Sequence, residues 1–278
     1  MSINGHWYTR DGKPCHTQPT KAGAANKERA THIGDARKLG LLPSVSGVTK
    51  MMSSGGLEAH KMREVAKVCY HSPAHPGEEL DTYIREMIEE SGKDVSAAAE
   101  LGTKIHKAIE HQCEMGSYED EQIVLTTGVQ CLLSDLVNPA IDKFNKLDIE
   151  IAFTEKVLVN NAEGYAGTTD IIWRSDSAVG ILDWKSKRTK EGEKIKPTDS
   201  HPMQIAAYIA AEFGPKFDGT IGYNVYVSTT EPGRVEVVQY GPKELKSAWE
   251  SFLSCCQLWR YTNQYDPRQT EQEAYPQD

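Results

Sequence analysis

The sequence lacks long apolar runs. Across its 278 residues no stretch approaches the ~18 consecutive apolar residues that a membrane span needs. The first residues, MSINGHWYTRDG, also lack the charged and then apolar order of a signal peptide. We therefore expect a cytoplasmic protein that does not enter a membrane.

The cysteines lack the pattern of a metal or disulfide framework. None of the six forms a C-x-x-C pair of the kind found in zinc and iron–sulfur sites. We expect reduced and mostly buried thiols at Cys15, Cys69, Cys113, Cys131, Cys255 and Cys256.

The chain also lacks an overall positive charge, since its formal net charge is -9. The charge is segregated, however. Residues 78–121 carry 13 acidic and 4 basic side chains, whereas residues 185–196 (KSKRTKEGEKIK) carry 6 basic and 2 acidic ones. Residues 1–50 are basic as well. This distribution favours an anion-binding face backed by a solvated acidic face, although basic runs are more often simply solvated loops.

The pattern of apolar residues predicts four segments. Residues 1–57 read as an irregular basic N-terminal arm, in which LLPSVSGVTKMM fits either a helical turn capped by Ser44 or a short strand. Residues 58–148 have apolar spacings of three and four and predict helices, one of them capped by Asp94 or Ser96 and ended by Gly116. Residues 119–147 read as one long helix that Pro139 kinks or divides. A polar tail at 265–278 is expected to be disordered.

In the third of these segments, residues 149–264, the period changes to two. Three short strands are predicted within 150–186, then a helix at 201–213, two strands within 220–240 and a closing helix at 242–263. The expected fold class is α/β (α+β), with a central mixed β-sheet flanked by helices and an N-terminal helical region.

The stretch GILDWKSK, from Gly180 to Lys187, carries the first functional signal. Alternation places Asp183 and Lys185 on one face of a strand, with Trp184 on the other face in the core. A hairpin turn near Asp176 would bring Asp170 opposite Asp183. Like charges this close are unfavourable unless a cation lies between them, and carboxylate oxygens suit Mg²⁺ or Mn²⁺.

The D-x-K triplet alone is weak support. With 15 Asp and 21 Lys, about one such triplet arises by chance, and Asp11-Gly-Lys13 is a second example. No strand leads into that one, so we treat it as accidental. The strand before Asp183 and the paired Asp170 distinguish the first triplet from the second.

Four motifs in order resemble the RecB-like branch of the PD-(D/E)xK nuclease superfamily, which includes CRISPR-associated, mitochondrial-genome-maintenance and phage exonucleases. They are G-T-x-x-H, G-x-x-D, D-x-K and Q-x-x-x-Y, at Gly102, Thr103 and His106, Gly167 and Asp170, Asp183 and Lys185, and Gln204 and Tyr208. The resemblance covers residues 97–240. It implies a restriction-endonuclease-like core and a metal-dependent DNA exonuclease of DNA replication, recombination or repair.

The resemblance also implies roles for single residues. His106, Asp170, Asp183 and the backbone carbonyl of Trp184 would bind Mg²⁺ or Mn²⁺, and Lys185 would activate the attacking water. Further catalytic or DNA-binding positions follow from the same motifs and from the basic run: Gln204, Tyr208, Thr103, Lys104, Lys187, Arg188 and, as an additional acid, Glu155. Gln204 and Tyr208 would contact the DNA backbone or support the site.

Other readings remain open at this stage. A helix histidine such as His106 is usually a packed or solvated residue, and its spacing to Glu110 fits no zinc peptidase. The cysteine spacing departs from that of the members with an iron–sulfur cluster, so no cluster is expected. The implied partners are single-stranded DNA or DNA ends and proteins of replication or recombination, in a bacterial or phage-infected cytoplasm. Alternative functions are a structure-specific or restriction-like endonuclease and a catalytically silent binding module.

Overall fold

In a computed structural model of the chain, a five-stranded mixed β-sheet lies between two layers of helices. The structure describes residues 6–20, 27–52 and 55–269. Its helices are α1 (Ile33–Leu39), α2 (Val45–Thr49), α3 (Gly55–His71), α4 (Leu80–Met115), α5 (Ser134–Asn145), α6 (Ser200–Phe213) and α7 (Pro242–Asn263). Its strands are β1 (Trp7–Tyr8), β2 (Thr17–Pro19), β3 (Glu28–Ala30), β4 (Leu42–Pro43), β5 (Gln122–Val124), β6 (Gln130–Leu132), β7 (Glu150–Asn160), β8 (Tyr165–Arg174), β9 (Val179–Lys187), β10 (Thr220–Ser228) and β11 (Val235–Tyr240). Over these ranges, no helix has the length and apolar character to cross a membrane.

The central sheet has the strand order β11-β10-β9-β8-β7. Neighbours are antiparallel except for β9 and β10, which are parallel and are joined by α6. A parallel pair needs such a crossover, because a tight turn can only reverse the chain. The mixed α/β class expected from the sequence is confirmed.

Alternation in β8 and β9 divides the core into two layers. Ile172 and Ile181 pack with α2, α6 and α7 on one face, whereas Trp173 and Leu182 pack with α4 and α5 on the other. Both faces of the sheet are therefore covered, which explains why its central strands are apolar nearly throughout.

The N-terminal segment is more ordered than the irregular arm that the sequence predicts. β1 pairs with β4, and the buried Trp7 ring contacts Trp259 of α7 at a centroid distance of 6.0 Å. Ser44 caps α2 directly after β4, so the two alternatives for this segment, a strand and a capped helical turn, occur one after the other. These contacts join residues far apart in sequence and leave no local periodicity. Positions 1–5, 21–26 and 53–54 of the arm lie outside the described residues.

The prediction of separate helices before the sheet is wrong for residues 80–115. They form one helix, α4, which begins after Glu79; the Glu79 side chain accepts hydrogen bonds from the backbone N–H of Asp81 and Thr82. Asp94 and Ser96 therefore lie inside the helix and cap nothing, because a single glycine nearby does not end a helix. The predicted end at Gly116 is confirmed, with a left-handed φ of 72°.

The single long helix expected over 119–147 is also wrong. Its first half is a hairpin, β5–β6, in which Leu125 and Val129 flank a turn containing Gly128 at φ 84°. The second half is α5, and Pro139 lies inside it without dividing it. The carbonyl of Asp135, which loses its helical donor to proline, instead accepts the N–H of Gly233 at 3.0 Å.

The polar tail begins later than the sequence suggests. The Tyr265 hydroxyl donates to the carbonyl of Leu41 at 2.9 Å, and Arg10 donates to the carbonyl of Pro267 at 2.5 Å. Residues 265–269 are thus packed against the N-terminal segment. The rest of the expected disordered tail, 270–278, lies outside the described residues.

Candidate metal centre

The site lies where β8 and β9 separate. The two strands pair from Arg174–Val179 to Ile171–Leu182 around the predicted hairpin turn, and beyond Ile171 the ladder stops. There the Asp170 carboxylate accepts the backbone N–H of Trp184 at 2.6 Å. We call this opening, between residues 167–170 of β8 and 183–187 of β9, the fork. Hairpin geometry therefore brings Asp170 and Asp183 to the same place, as predicted.

Asp183 and Lys185 form the centre of the fork. The Lys185 ammonium lies 2.6 Å from Oδ2 of Asp183, and it also donates to Oε1 of Gln204 at 3.0 Å. Asp183 is buried, so this charge neutralisation takes place in a region of low dielectric. Alternation along β9 turns both side chains towards α6, the helix that carries Gln204, and the predicted grouping of these residues is present.

Helix α4 brings His106 to the fork through a glycine. A Cβ atom on Gly102 would lie 2.6 Å from Oγ of Ser186 in β9, so the helix can approach the strand this closely only because that atom is missing. One turn further along, Nδ1 of His106 lies 4.0 Å from Oδ2 of Asp170. Burial lowers the pKa of His106, Asp183 opposes this and Lys185 adds to it. A neutral imidazole is the form that ligates a metal.

The electrostatics of the fork favour a cation. Burial and the neighbouring Asp183 raise the pKa of Asp170 well above its usual range, against the opposing effect of Lys185 and the Trp184 N–H. Glu155 lies on β7 with a left-handed φ of 44°. Partial burial and nearby acids, Glu110 first, raise its pKa to about 7, although the residue reaches solvent. A divalent cation would reverse these penalties, because it favours the ionised form of each acid.

The donor set fits Mg²⁺ or Mn²⁺ in chemistry. Asp170, Asp183 and Glu155 offer carboxylate oxygens, Trp184 a backbone carbonyl and His106 an imidazole, and these cations accept such ligands. His106, Asp170, Glu155 and Trp184 line one small pocket. Within residues 6–20, 27–52 and 55–269, no three His, Cys, Asp or Glu side chains converge as a ready ligand group. In this arrangement Lys185 neutralises Asp183.

Tyr208 is not placed to contact DNA. Its side chain is buried, and its hydroxyl accepts a hydrogen bond from Nε2 of Gln204 at 3.3 Å. The ring covers Gly167 so closely that a Cβ atom there would lie 2.9 Å from Cε1. Direct DNA contact by Tyr208 is therefore wrong, because α6 packs this side chain against β8. Of the two roles considered for it, support of the site matches its position.

The other predicted DNA-binding residues surround the fork at its surface. Thr103 donates back to the Ala99 carbonyl at 3.0 Å, and Lys104 pairs with Glu121 at 2.9 Å. At the end of β9, Lys187 donates to the carbonyl of Lys196, while the exposed Arg188 donates to the carbonyl of Thr126 at 3.1 Å. Burial lowers the pKa of Lys187. A phosphate would have to compete with these contacts.

The basic segment 185–196 is held in place by Arg234. The Arg234 guanidinium donates to the carbonyl of Lys190 at 2.8 Å and to that of Glu193, and it pairs with Glu231 and Glu236 at 2.6 Å each. The ammonium and guanidinium groups of this segment thus belong to an ordered surface. Its exposed cations are Arg188, Lys190, Lys194 and Lys196.

Asn224 is a site residue that the sequence analysis missed. It is fully buried in β10, and its Nδ2 donates to Oδ2 of Asp183 at 3.0 Å and to the Asp183 carbonyl at 3.4 Å. The signal available in the sequence was an amide inside the otherwise apolar strand TIGYNVYVS. Such a group is costly to bury without partners.

Comparisons with known proteins leave the family open. No family model matches the chain, and no curated protein matches it. One solved structure that resembles it is described as "Crystal structure of SSO0001"; the match has 15% identity and a TM-score of 0.26 and covers 69% of this chain and 85% of the other. A TM-score this low carries no argument.

Proposed function

We propose that the chain is a Mg²⁺- or Mn²⁺-dependent deoxyribonuclease with a PD-(D/E)xK core of the RecB-like branch, acting as an exonuclease on single-stranded DNA or free ends. The observation that carries this is the meeting of three elements at the fork. β8 supplies Asp170, β9 supplies Asp183 and Lys185, and α4 supplies His106 at 4.0 Å from Asp170. DNA replication, recombination or repair in the cytoplasm is the setting that fits such an activity.

The residues of the fork divide the chemistry between them. Asp170, Asp183, His106 and the Trp184 carbonyl would hold the cation, with Glu155 at the rim. A cation bound by these residues would supply charge relief for the scissile phosphate and would lower the pKa of a water. Lys185 is held between Asp183 and Gln204, so its ammonium is fixed in direction and can orient a water beside the carboxylates.

The basic segment 185–196 continues β9 directly beyond the site. Its ordered, exposed cations would bind the phosphate backbone without reading bases, which predicts strongly salt-dependent binding. α3 packs against α4, and these helices would form a gate over the site. The many acidic side chains of α4 would then repel DNA from other paths.

Digestion of end-labelled DNA tests the proposal. Linear single-stranded, linear double-stranded and closed circular single-stranded DNA are incubated with Mg²⁺ or Mn²⁺, using the wild type, Asp183→Asn and Lys185→Ala. The matched controls are Asp11→Asn and Lys13→Ala, since Asp11 and Lys13 form the same D-x-K pair at 2.8 Å on the exposed surface.

We expect linear DNA to be degraded by the wild type and both controls, and activity to fall at least ~100-fold in the two fork variants. Opening of the circle would instead identify an endonuclease. Full activity in both fork variants would contradict the proposal. No digestion, together with no Mn²⁺ binding in calorimetry, would leave the silent binding module.

A further inference from the structure

A buried group of polar side chains lies between Asp183 and the first turn of α6. Nδ2 of Asn224 donates to Oδ2 of Asp183 at 3.0 Å, and Oδ1 of Asn224 accepts from the Tyr240 hydroxyl at 3.0 Å. Burial raises the pKa of Tyr240 to about 12, against a smaller opposing effect of the neighbouring Tyr226. Tyr226 lies 2.7 Å from Nδ1 of His201. Four residues from three elements, β10, β11 and α6, therefore stand behind one carboxylate.

The two side-chain hydrogen bonds of Asn224 have a defined direction. The Asn224 amide must donate to a carboxylate, so its oxygen faces Tyr240, which donates to it. Tyr226 and Nδ1 of His201 share a further hydrogen bond at 2.7 Å. Burial, reinforced by Lys185, lowers the pKa of His201 to about 4. The imidazole is therefore neutral at pH 7.

Asn224 and Lys185 together fix one oxygen of Asp183. Both side-chain donors, the Asn224 amide and the Lys185 ammonium, bind Oδ2. Within the part of the chain that the structure describes, Oδ1 receives neither. With Oδ2 held from two sides the carboxylate cannot rotate, and Oδ1 keeps a constant direction. A buried network in which every member is satisfied is rigid for this reason.

We propose that Asn224 is a positioning residue that orients the Asp183 carboxylate for cation binding, and that the Tyr240 hydroxyl sets the direction of its amide. The inference rests on the proposed function, because it assigns these residues to the same metal centre. Partners of this kind in other metal sites change affinity or activity by about 10- to 100-fold. The competing explanation is a polar network that contributes to folding alone.

Mn²⁺ binding to the full chain, measured by calorimetry without DNA, separates the two explanations. Tyr240→Phe removes only the hydroxyl that fixes the Asn224 amide, and Asn224→Leu removes the amide itself. Tyr165→Phe is the matched control. Tyr165 is also buried, and its hydroxyl donates to the carbonyl of Ala207 at 2.8 Å. It makes no hydrogen bond to Asn224 or Asp183.

We expect Mn²⁺ to bind about tenfold more weakly or worse in Asn224→Leu, and at least about threefold more weakly in Tyr240→Phe, with no change in Tyr165→Phe. Thermal unfolding of the two tyrosine variants should be similar, so that stability does not explain the difference. If the wild type binds Mn²⁺ and Tyr240→Phe binds it equally well, the positioning role is overturned while the metal centre stands. If Tyr240→Phe and Tyr165→Phe weaken Mn²⁺ binding to the same degree, the network contributes to folding alone. If the wild type binds no Mn²⁺, the metal centre itself is refuted, and this inference with it.

Discussion

Gly167→Ala tests whether two of the sequence motifs depend on one contact. The new Cβ would lie 2.9 Å from Cε1 and 3.1 Å from the hydroxyl oxygen of Tyr208. Carbon atoms in favourable contact are about 3.5–4.0 Å apart, so the ring must move by at least about 0.6 Å. Tyr208 is buried and has little space to do so.

The displacement has a cost in stability and in activity. Overpacking of this kind destabilises by about 1–3 kcal/mol, which lowers Tm by about 2–4 °C per kcal/mol in a chain of this size. Tyr208 accepts from Gln204, and Gln204 holds Lys185, so the shift passes to the ammonium. Misplacement of a reacting group by about 1 Å can cost up to ~100-fold in rate. We expect a loss of about 10- to 100-fold in DNA digestion.

Denaturant unfolding and the DNA digestion assay, both on purified protein, measure the two effects. Gly92→Ala is the control, because a Cβ atom there meets nothing within 4 Å and lies in the middle of α4. That change should stabilise by up to about 1 kcal/mol and leave activity unchanged. In a Tyr208→Leu background, Gly167→Ala should cost less than about 0.5 kcal/mol, because the ring is gone. Wild-type stability and activity in Gly167→Ala would refute the reasoning.

Three further predictions concern charged side chains. Burial raises the folded-state pKa of Asp170, so ionisation of this carboxyl group costs stability as the pH rises above its pKa in the unfolded chain. Asp170→Asn should therefore be more stable than the wild type at pH 7–8 in the presence of a chelator, equally stable near pH 3, and inactive. Unequal stability of the two proteins at pH 3 would contradict this. The pKa of Glu155 is raised from 4.5 to about 7, so Glu155→Gln should gain stability relative to the wild type between those pH values and keep that gain above them. The gain in free energy of unfolding should be smaller than the full pKa shift implies, because the residue is exposed. A pH-independent difference between the urea midpoints of the two proteins would argue against this. Arg234→Ala removes the donor that holds the Lys190 carbonyl of the basic segment. We expect faster trypsin cleavage of this segment and weaker DNA binding at about 0.1 M salt. Unchanged cleavage would show that other contacts hold the segment.

The sequence was sufficient for the features that depend on local pattern. Period-two alternation and the turn near Asp176 place Asp170 beside Asp183, because equal distances from a hairpin turn bring two residues opposite each other. The sequence shows that the motifs contain Gly102 and Gly167. The sequence does not show why glycine is needed at these positions, because each glycine leaves room for a side chain from another element, Ser186 at Gly102 and Tyr208 at Gly167.

Features that depend on distant partners could not be predicted. Trp7 belongs to the core because it meets Trp259 at the other end of the chain, and nothing near Trp7 indicates this. The sequence of the β5–β6 hairpin predicts a helix because its apolar spacings fit both periods, and only the turn at Gly128 decides between them. Asn224 acquires its role from Asp183 on the neighbouring parallel strand, and the crossover through α6 sets that register.

The unbroken course of α4 makes it a lever. Gly102 touches β9 and can serve as the fulcrum, with the start of the helix at Leu80 about 33 Å away and His106 about 6 Å away on the other side. A tilt of about 5° at this point would move the far end by roughly 3 Å and His106 by roughly half an ångström in the opposite direction. Whatever binds the outer half of α4 would therefore adjust the distance between His106 and Asp170, with a mechanical ratio of about five to one.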